Sequence, residues 1–370
     1  MNGKMMVMMA AVALGAVQAF GGGIDRQMLK DLIALPSVNR NPKELRRGVE
    51  FLKDWLEKRK VCCAVETNEC GYLGLYASTT PGKVHDYLFV AHVDVVKAPP
   101  EMFVPRVEGD RIYGLGSNDC GGSLVALLAA FAELRTRPQP YRLIFCATAE
   151  EENTGPEGLN MLLAHIPTPA LGIIGEPTGM QMAVAEKGLI VLDCTSRGVS
   201  GHAAREEGVN ALYKALDDIG WFRTYAFDKV SPFLGPVRMT VTQIRCGTQH
   251  NVVPDECSFV VDVRPNGLYT NEAILDIIRG HVGCEVRPRS LKHRSSSIST
   301  DHPVVLRGLS LGLEPYGSPT ASNRICCNFP TLKIGPGQSS RSHMADEYIL
   351  TSEIENAVGL YIRLLDGLAL

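Results

Sequence analysis

The sequence predicts an α/β protein whose largely parallel layer is interrupted by a smaller α+β unit. Three observations carry this. From Ile24 onward helices alternate with short apolar strands; near Glu186-Lys187-Gly188 the rhythm changes to strands with one open face; and from about His302 the first pattern returns. A chain of 370 residues is long enough for two or three globular units at roughly 150 residues each.

The elements follow in order. Gln27 to Leu35 and Lys43 to Lys58 carry apolar residues at three-to-four spacing and read as helices, with Pro36 and Pro42 punctuating the loop between them. Tyr87 to Ala91, Tyr141 to Thr148 and Leu171 to Gly175 are continuous apolar runs, as a sheet covered on both faces requires. Between the first two lies a helix, Gly121 to Arg135, with Leu124, Leu127, Leu128 and Phe131 on one stripe. Leu189 to Ser196, Val237 to Ile244 and Cys257 to Val263 then alternate like half-open strands, and Val209 to Phe222 and Asn271 to Val282 read as helices. That order is a split βαβ, ferredoxin-like arrangement. The basic and serine-rich stretch Arg287 to Ser299 reads as a linker, and Thr331 to Ile334 is a last apolar strand. The expected divisions are 1–23 as a leader-like or unstructured segment, 24–187 and 293–370 as two parts of one domain, and 188–292 as an inserted domain.

Composition narrows the function. Apolar residues at 45% and charged residues at 21% exclude collagen-like, disordered and multi-span membrane classes. A formal charge of -3 provides no field of one sign to hold a polyphosphate backbone, so neither nucleic acid nor membrane is an expected partner. The eleven cysteines include the adjacent pairs Cys62-Cys63 and Cys326-Cys327, which disulfide frameworks seldom use, so they read as reduced thiols of a cytoplasmic protein. Lys4, the uncharged run Met5 to Val17 and Val17-Gln18-Ala19 resemble a secretory signal peptide, which leaves export as the alternative location. No Cys-x-x-Cys spacing is present, so a metal would have to be held by His and carboxylates.

Such residues recur at strand ends. The first strand is followed by His92-Val93-Asp94, and residues two apart on an extended chain point the same way, so Asp94 can fix which imidazole nitrogen is free. Gly114-Leu115-Gly116-Ser117-Asn118-Asp119 superficially resembles a dinucleotide loop, but Asp119 stands where that fingerprint needs Gly and would repel pyrophosphate. The next strand delivers Glu150-Glu151-Glu152, and Leu171 to Gly175 delivers Glu176. Three successive strands thus present ligand-type residues at their carboxyl ends, where open α/β sheets place their sites. His343 follows on the Gly335-Pro336-Gly337 loop. Two imidazoles and several carboxylates suit a pair of divalent ions, zinc first, cobalt or manganese next.

These residues resemble the acetylornithine deacetylase, succinyl-diaminopimelate desuccinylase and aminoacylase family of dinuclear zinc hydrolases. The resemblance runs from about Ile24 to Leu370 through His92-Val93-Asp94, Ser117-Asn118-Asp119, the glutamate cluster, Gly175-Glu176-Pro177-Thr178, Gly198-Val199-Ser200-Gly201-His202-Ala203, Asn251-Val252-Val253-Pro254 and Ser342-His343. It implies a zinc-exopeptidase-like catalytic domain in which Asp119 bridges two metal ions, with His92 and Glu176 on one and Glu152 and His343 on the other. Glu151 would be the general base, although the triple glutamate also permits a register one residue earlier. The Asn118-Asp119 peptide is implied to be cis. The inserted domain would make a homodimer and act as a lid, with His202 and Asn251 stabilising the oxyanion, Arg264 gripping a substrate carboxylate, and Thr320 contacting it nearby. Around Thr320 the sequence departs from the family's usual Gly-Thr-Ser-Asp. Gly175 to Gly188 and Gly335 to Tyr348 look closest to the arginine-biosynthesis branch, which implies an N-acylated ornithine or citrulline as substrate, with acetyl or succinyl as the acyl group.

Three rivals remain at this stage. A dipeptidase or carboxypeptidase of the same family would need the same machinery. A silent dimeric binding protein would have little reason to keep Glu151. A cysteine hydrolase on Cys120 would lack an oriented His and would sit beside acids that raise a thiol's pKa.

Overall fold

The computed structural model describes residues 24–38, 41–67, 73–78, 85–153, 155, 158–205 and 207–370. The signal-like segment lies outside them. Among the described residues no helix is long and apolar enough to cross a membrane. The chain divides into two compact units, one running to Val184 and taking up Ile298–Tyr316 and Ser322–Leu370, the other formed by Ala185–Ser297 and Gly317–Ala321.

The first unit is built on a mixed sheet. Its middle strands are parallel, in the spatial order Tyr141–Thr148, His85–His92, Leu171–Ile174 and Thr331–Lys333. Antiparallel strands flank them: Leu73–Ser78 and then Cys63–Thr67 beyond the Tyr141 strand, and Met182–Glu186 beyond the Thr331 strand. Alternation explains the continuous apolar runs. Tyr87, Phe89 and Ala91 point into one buried cluster with Phe131 and Tyr361, while Leu88 and Val90 point into another with Ile144, Leu159 and Leu162. Both faces are covered, so neither set can be polar.

The helix Gly122–Leu134 is buried along nearly its whole length, from Gly122 to Ala132 and at Leu134. It lies between the sheet and the C-terminal helix Thr351–Leu365, which explains why it is apolar on every side rather than along one stripe. Burying leucines such as Leu124, Leu127 and Leu128 stabilises by roughly 1.5–3 kcal/mol each.

Register sets the site. His92 lies opposite Thr148, Val90 opposite Ile174, and Ile174 opposite Lys333, so the parallel strands end almost level. Whatever follows His92, Thr148, Ile174 and Lys333 emerges along one edge of the sheet.

The second unit holds a four-stranded antiparallel sheet in the order Arg238–Cys246, Glu256–Arg264, Ile190–Arg197, Glu285–Pro288. The helices Ala211–Thr224 and Asn271–Arg279 supply Ala215, Phe222, Ile274 and Ile278 to its core. Both are capped as their sequences allow, by the side chains of Asn210 and Thr270. The stretch expected as a linker is more than that. Arg287 and Pro288 belong to the last strand, anchored by buried Val286, and Ser296–Ser297 pairs with Ala185 and Glu186.

Candidate metal centre

His92 is the last residue of its strand and is fully enclosed. Its Nδ1 lies 2.9 Å from the Asp94 backbone carbonyl, and with a proton there Nε2 is free to face Asp119 Oδ1 at 3.3 Å. The Asp94 carboxylate is farther from the ring, at 3.6 Å, and does something else. It accepts the backbone N–H of Glu151 at 3.2 Å and that of Glu152 at 3.1 Å. The chain can present both amides because Glu150 turns it in the left-handed region, φ 65°.

Glu151 Oε2 comes within 4.0 Å of His92 Nε2. Glu152 reaches His343 Nε2 at 3.1 Å through both carboxylate oxygens, and the same nitrogen is 3.7 Å from Asp119 Oδ2. Donor atoms of His92, Asp119 and Glu152 all lie within 4.8 Å of one another, as do those of His92, Glu151 and Glu176. Glu176 arrives two residues after the end of the Leu171–Ile174 strand through Gly175, where a Cβ would come within 2.6 Å of Leu127 and 3.0 Å of Ser123.

The electrostatics are those of crowded acids. Burial, then Glu176, Asp119 and Glu152, push the Glu151 carboxyl well above its usual range, against the pull of His92. Burial alone would depress His92, yet Cys120, Asp119 and Asp94 together hold it well above the ordinary imidazole value. Burial works against ionised Asp119 as well, and His92, Ser342 and His343 outweigh it and keep that carboxyl low. The hydrogen bond that His343 donates to the Glu152 carboxylate lifts its imidazole to about 9. Among the described residues no Lys or Arg pairs with Asp119, Glu151 or Glu152. Carboxylates gathered without Lys or Arg, joined by two imidazoles, fit a pair of divalent cations of borderline softness.

Two expectations change. The cis peptide is Asp119-Cys120 and not Asn118-Asp119, so it follows the Asp119 side chain instead of preceding it. Cys120 does have a histidine beside it, with its sulfur 3.2 Å from the backbone nitrogen of His92 and 3.4 Å from its carbonyl oxygen. It is nonetheless no nucleophile, because burial pushes its thiol up to about 12.

The sequence reading missed Glu347. Burial pushes it up to about 7, against the N–H groups of Asp119, Asn118 and Gly116, which favour the ionised form. It lies four residues after His343 with no periodicity to mark it.

Known proteins place these observations. Residues 184–288 match the peptidase dimerisation domain of the M20 family. The chain is 24% identical to acetylornithine deacetylase of Proteus mirabilis, over 93% of this chain and 96% of that one. It is 25% identical to succinyl-diaminopimelate desuccinylase 2 of a Ruegeria species, over 75% and 78%. Residues 184–288 thus resemble an M20 dimerisation domain, and the chain as a whole is similar to proteins named as deacylases. Its fold agrees: a tripeptidase from Staphylococcus aureus superposes with a TM-score of 0.76 at 16% identity, covering 94% of this chain and 98% of that one.

The remaining expected residues belong to the second unit. His202 and Asn251 are brought together there, since Gly201–His202 pairs with Val252–Val253 and the Asn251 carbonyl accepts the Ala203 N–H at 3.0 Å. Arg264 is engaged by Asp262 through two bonds of 2.7 and 3.0 Å. Thr320 is exposed, with its hydroxyl 3.2 Å from that of Ser318.

Proposed function

We propose that this protein is a metal-dependent amidohydrolase that removes an acyl group, acetyl or succinyl, from an N-acyl amino acid such as N-acylornithine or N-acylcitrulline. The observation that carries the reading is the convergence of His92, Asp119, Glu151, Glu152, Glu176 and His343 at one sheet edge. In this reading two divalent cations, zinc first, are held by His92, Asp119 and Glu176 on one side and by Asp119, Glu152 and His343 on the other. Bound there, they supply Lewis acidity at the amide carbonyl and make an attacking water more acidic.

The protein's own groups do the rest. Glu151 is no metal ligand in this assignment, and its carboxylate, 4.0 Å from His92 Nε2 at the edge of the centre, suits a group that takes a proton from water and returns it to the leaving amine. Asp94 fixes both the His92 ring and the backbone that carries Glu151. His202 and Asn251 are assigned to the oxyanion, Arg264 to the substrate carboxylate with its guanidinium plane set by Asp262, and Thr320 to a contact beside it. The match of residues 184–288 to a dimerisation domain supports a homodimer as the working unit.

Relatives named as deacetylase and desuccinylase cover most of the chain, which favours acyl removal over peptide cleavage. The test is a panel of N-acetyl and N-succinyl derivatives of ornithine and citrulline beside dipeptides, with zinc- or cobalt-loaded protein. Hydrolysis of an N-acyl amino acid supports the reading; hydrolysis of dipeptides alone overturns it.

A further inference from the structure

Glu347 is 1% exposed, and its side chain ends on the turn that carries Asp119. Its Oε1 accepts the backbone N–H of Asn118 at 2.9 Å and that of Asp119 at 3.0 Å. Its own carbonyl accepts the Gly114 N–H at 3.0 Å, so one residue grips both ends of the segment from Gly114 to Asp119.

The side chain of Asn118, fully buried, continues the connection. Its Oδ1 accepts the Gln338 N–H at 3.0 Å, and its Nδ2 donates to the Gln338 carbonyl at 3.0 Å and to the Ser342 hydroxyl at 3.2 Å. This two-way pairing with one backbone unit holds the loop just ahead of His343. The loop comes this close only because residue 337 is glycine: its φ is +84°, and a Cβ there would run into Asn118 Oδ1.

We propose that Glu347 and Asn118 are positioning residues that lock Asp119 and His343 into one frame, so that the two reach the same pair of cations. The inference rests on the metal-centre reading above and adds to it. Neither residue donates to a metal in that reading. Glu347 acts through the amides beneath Asp119, and Asn118 acts through the backbone that precedes His343. An oxygen acceptor at Oε1 is the part of Glu347 that matters; its charge is not required.

The test uses cobalt(II) as the probe on the full-length chain, reading the visible spectrum and the binding isotherm beside the melting temperature. Glu347→Gln keeps the acceptor and is expected to bind cobalt within about threefold of wild type with an unchanged spectrum. Glu347→Ala is expected to bind roughly 10- to 100-fold more weakly, the range for losing a group that orients a ligand, with altered d–d bands. Asn118→Ala, which leaves the Glu347 contacts in place, is expected to weaken the ion held by His343 and to leave the other ion bound. It decides the matter if Glu347→Ala does not fold. Glu347→Ala or Asn118→Ala binding cobalt with wild-type affinity and spectrum overturns the proposal alone. A wild-type chain that binds no cobalt overturns the metal-centre reading, and this proposal with it.

Discussion

Asp94 Oδ1 accepts the backbone N–H of Glu151 at 3.2 Å, while the Asp94 carbonyl holds His92 Nδ1 at 2.9 Å. One residue therefore sets the ring of a candidate metal ligand and the main chain of the candidate base, on two neighbouring strand ends.

Replacing Asp94 by Ala separates those two tasks, because the backbone carbonyl stays and the carboxylate goes. The Glu151 and Glu152 amides lose their acceptor within a buried site, a loss of about 1–3 kcal/mol for each donor left unsatisfied. The expected result is a lower melting temperature and a turnover reduced by more than tenfold, with the His92 tautomer retained. Histidine NMR on the zinc-loaded protein checks the last point.

Glu151 is the sharper case for chemistry. Glu151→Gln has nearly the same shape, keeps the proposed donors of both ions, and removes the proton carrier. Metal stoichiometry is expected to stay at the wild-type value while kcat falls by about 10²- to 10⁴-fold, the usual contribution of a positioned acid–base group. Unchanged turnover removes Glu151 from the mechanism.

The strands that carry the site are legible in the sequence because a sheet covered on both faces demands continuous apolar runs, and Phe89, Val90, Ile144 and Phe145 satisfy it without ambiguity. The acids and imidazoles stand at their ends, so the convergence of His92, Glu151, Glu152 and Glu176 follows from register alone. What the sequence conceals is main-chain work. Nothing in the spacing tells that the Asp94 carboxylate serves two amides, or that Asn118 pairs with a backbone 220 residues away. Hydrogen bonds of a side chain to distant backbone depend on tertiary approach, and no local period records them.

Removing the metal is expected to abolish hydrolysis and to lower the melting temperature, because an ion bound only by the folded chain stabilises it by about 2.7 kcal/mol at a hundredfold excess over Kd. Readdition of zinc or cobalt is expected to restore both. His343→Ala takes the imidazole away from Glu152 and Asp119 and leaves His92 and Glu176 untouched, so elemental analysis is expected to fall from two ions per chain towards one. Two tightly held ions in His343→Ala would place the second ion elsewhere.

The second unit offers a test of assembly. The Arg238–Cys246 strand pairs with Glu256–Arg264 on one side only and ends its sheet, leaving backbone groups open for another strand. Ile244 on that strand is 48% exposed, and the helix Ala211–Thr224, packed against the same strand, exposes Tyr213 and Leu216. An open edge with apolar side chains beside it is costly in water and is relieved when two copies pair edge to edge. The wild-type chain is therefore expected to sediment at twice its 40.2 kDa mass. Ile244→Lys places a charge at that edge and is expected to shift the population to monomer with little loss of melting temperature, since the side chain is half in solvent already. Sedimentation velocity reads the outcome: an Ile244→Lys protein that remains a dimer at micromolar concentration shows that this edge is not where the copies meet.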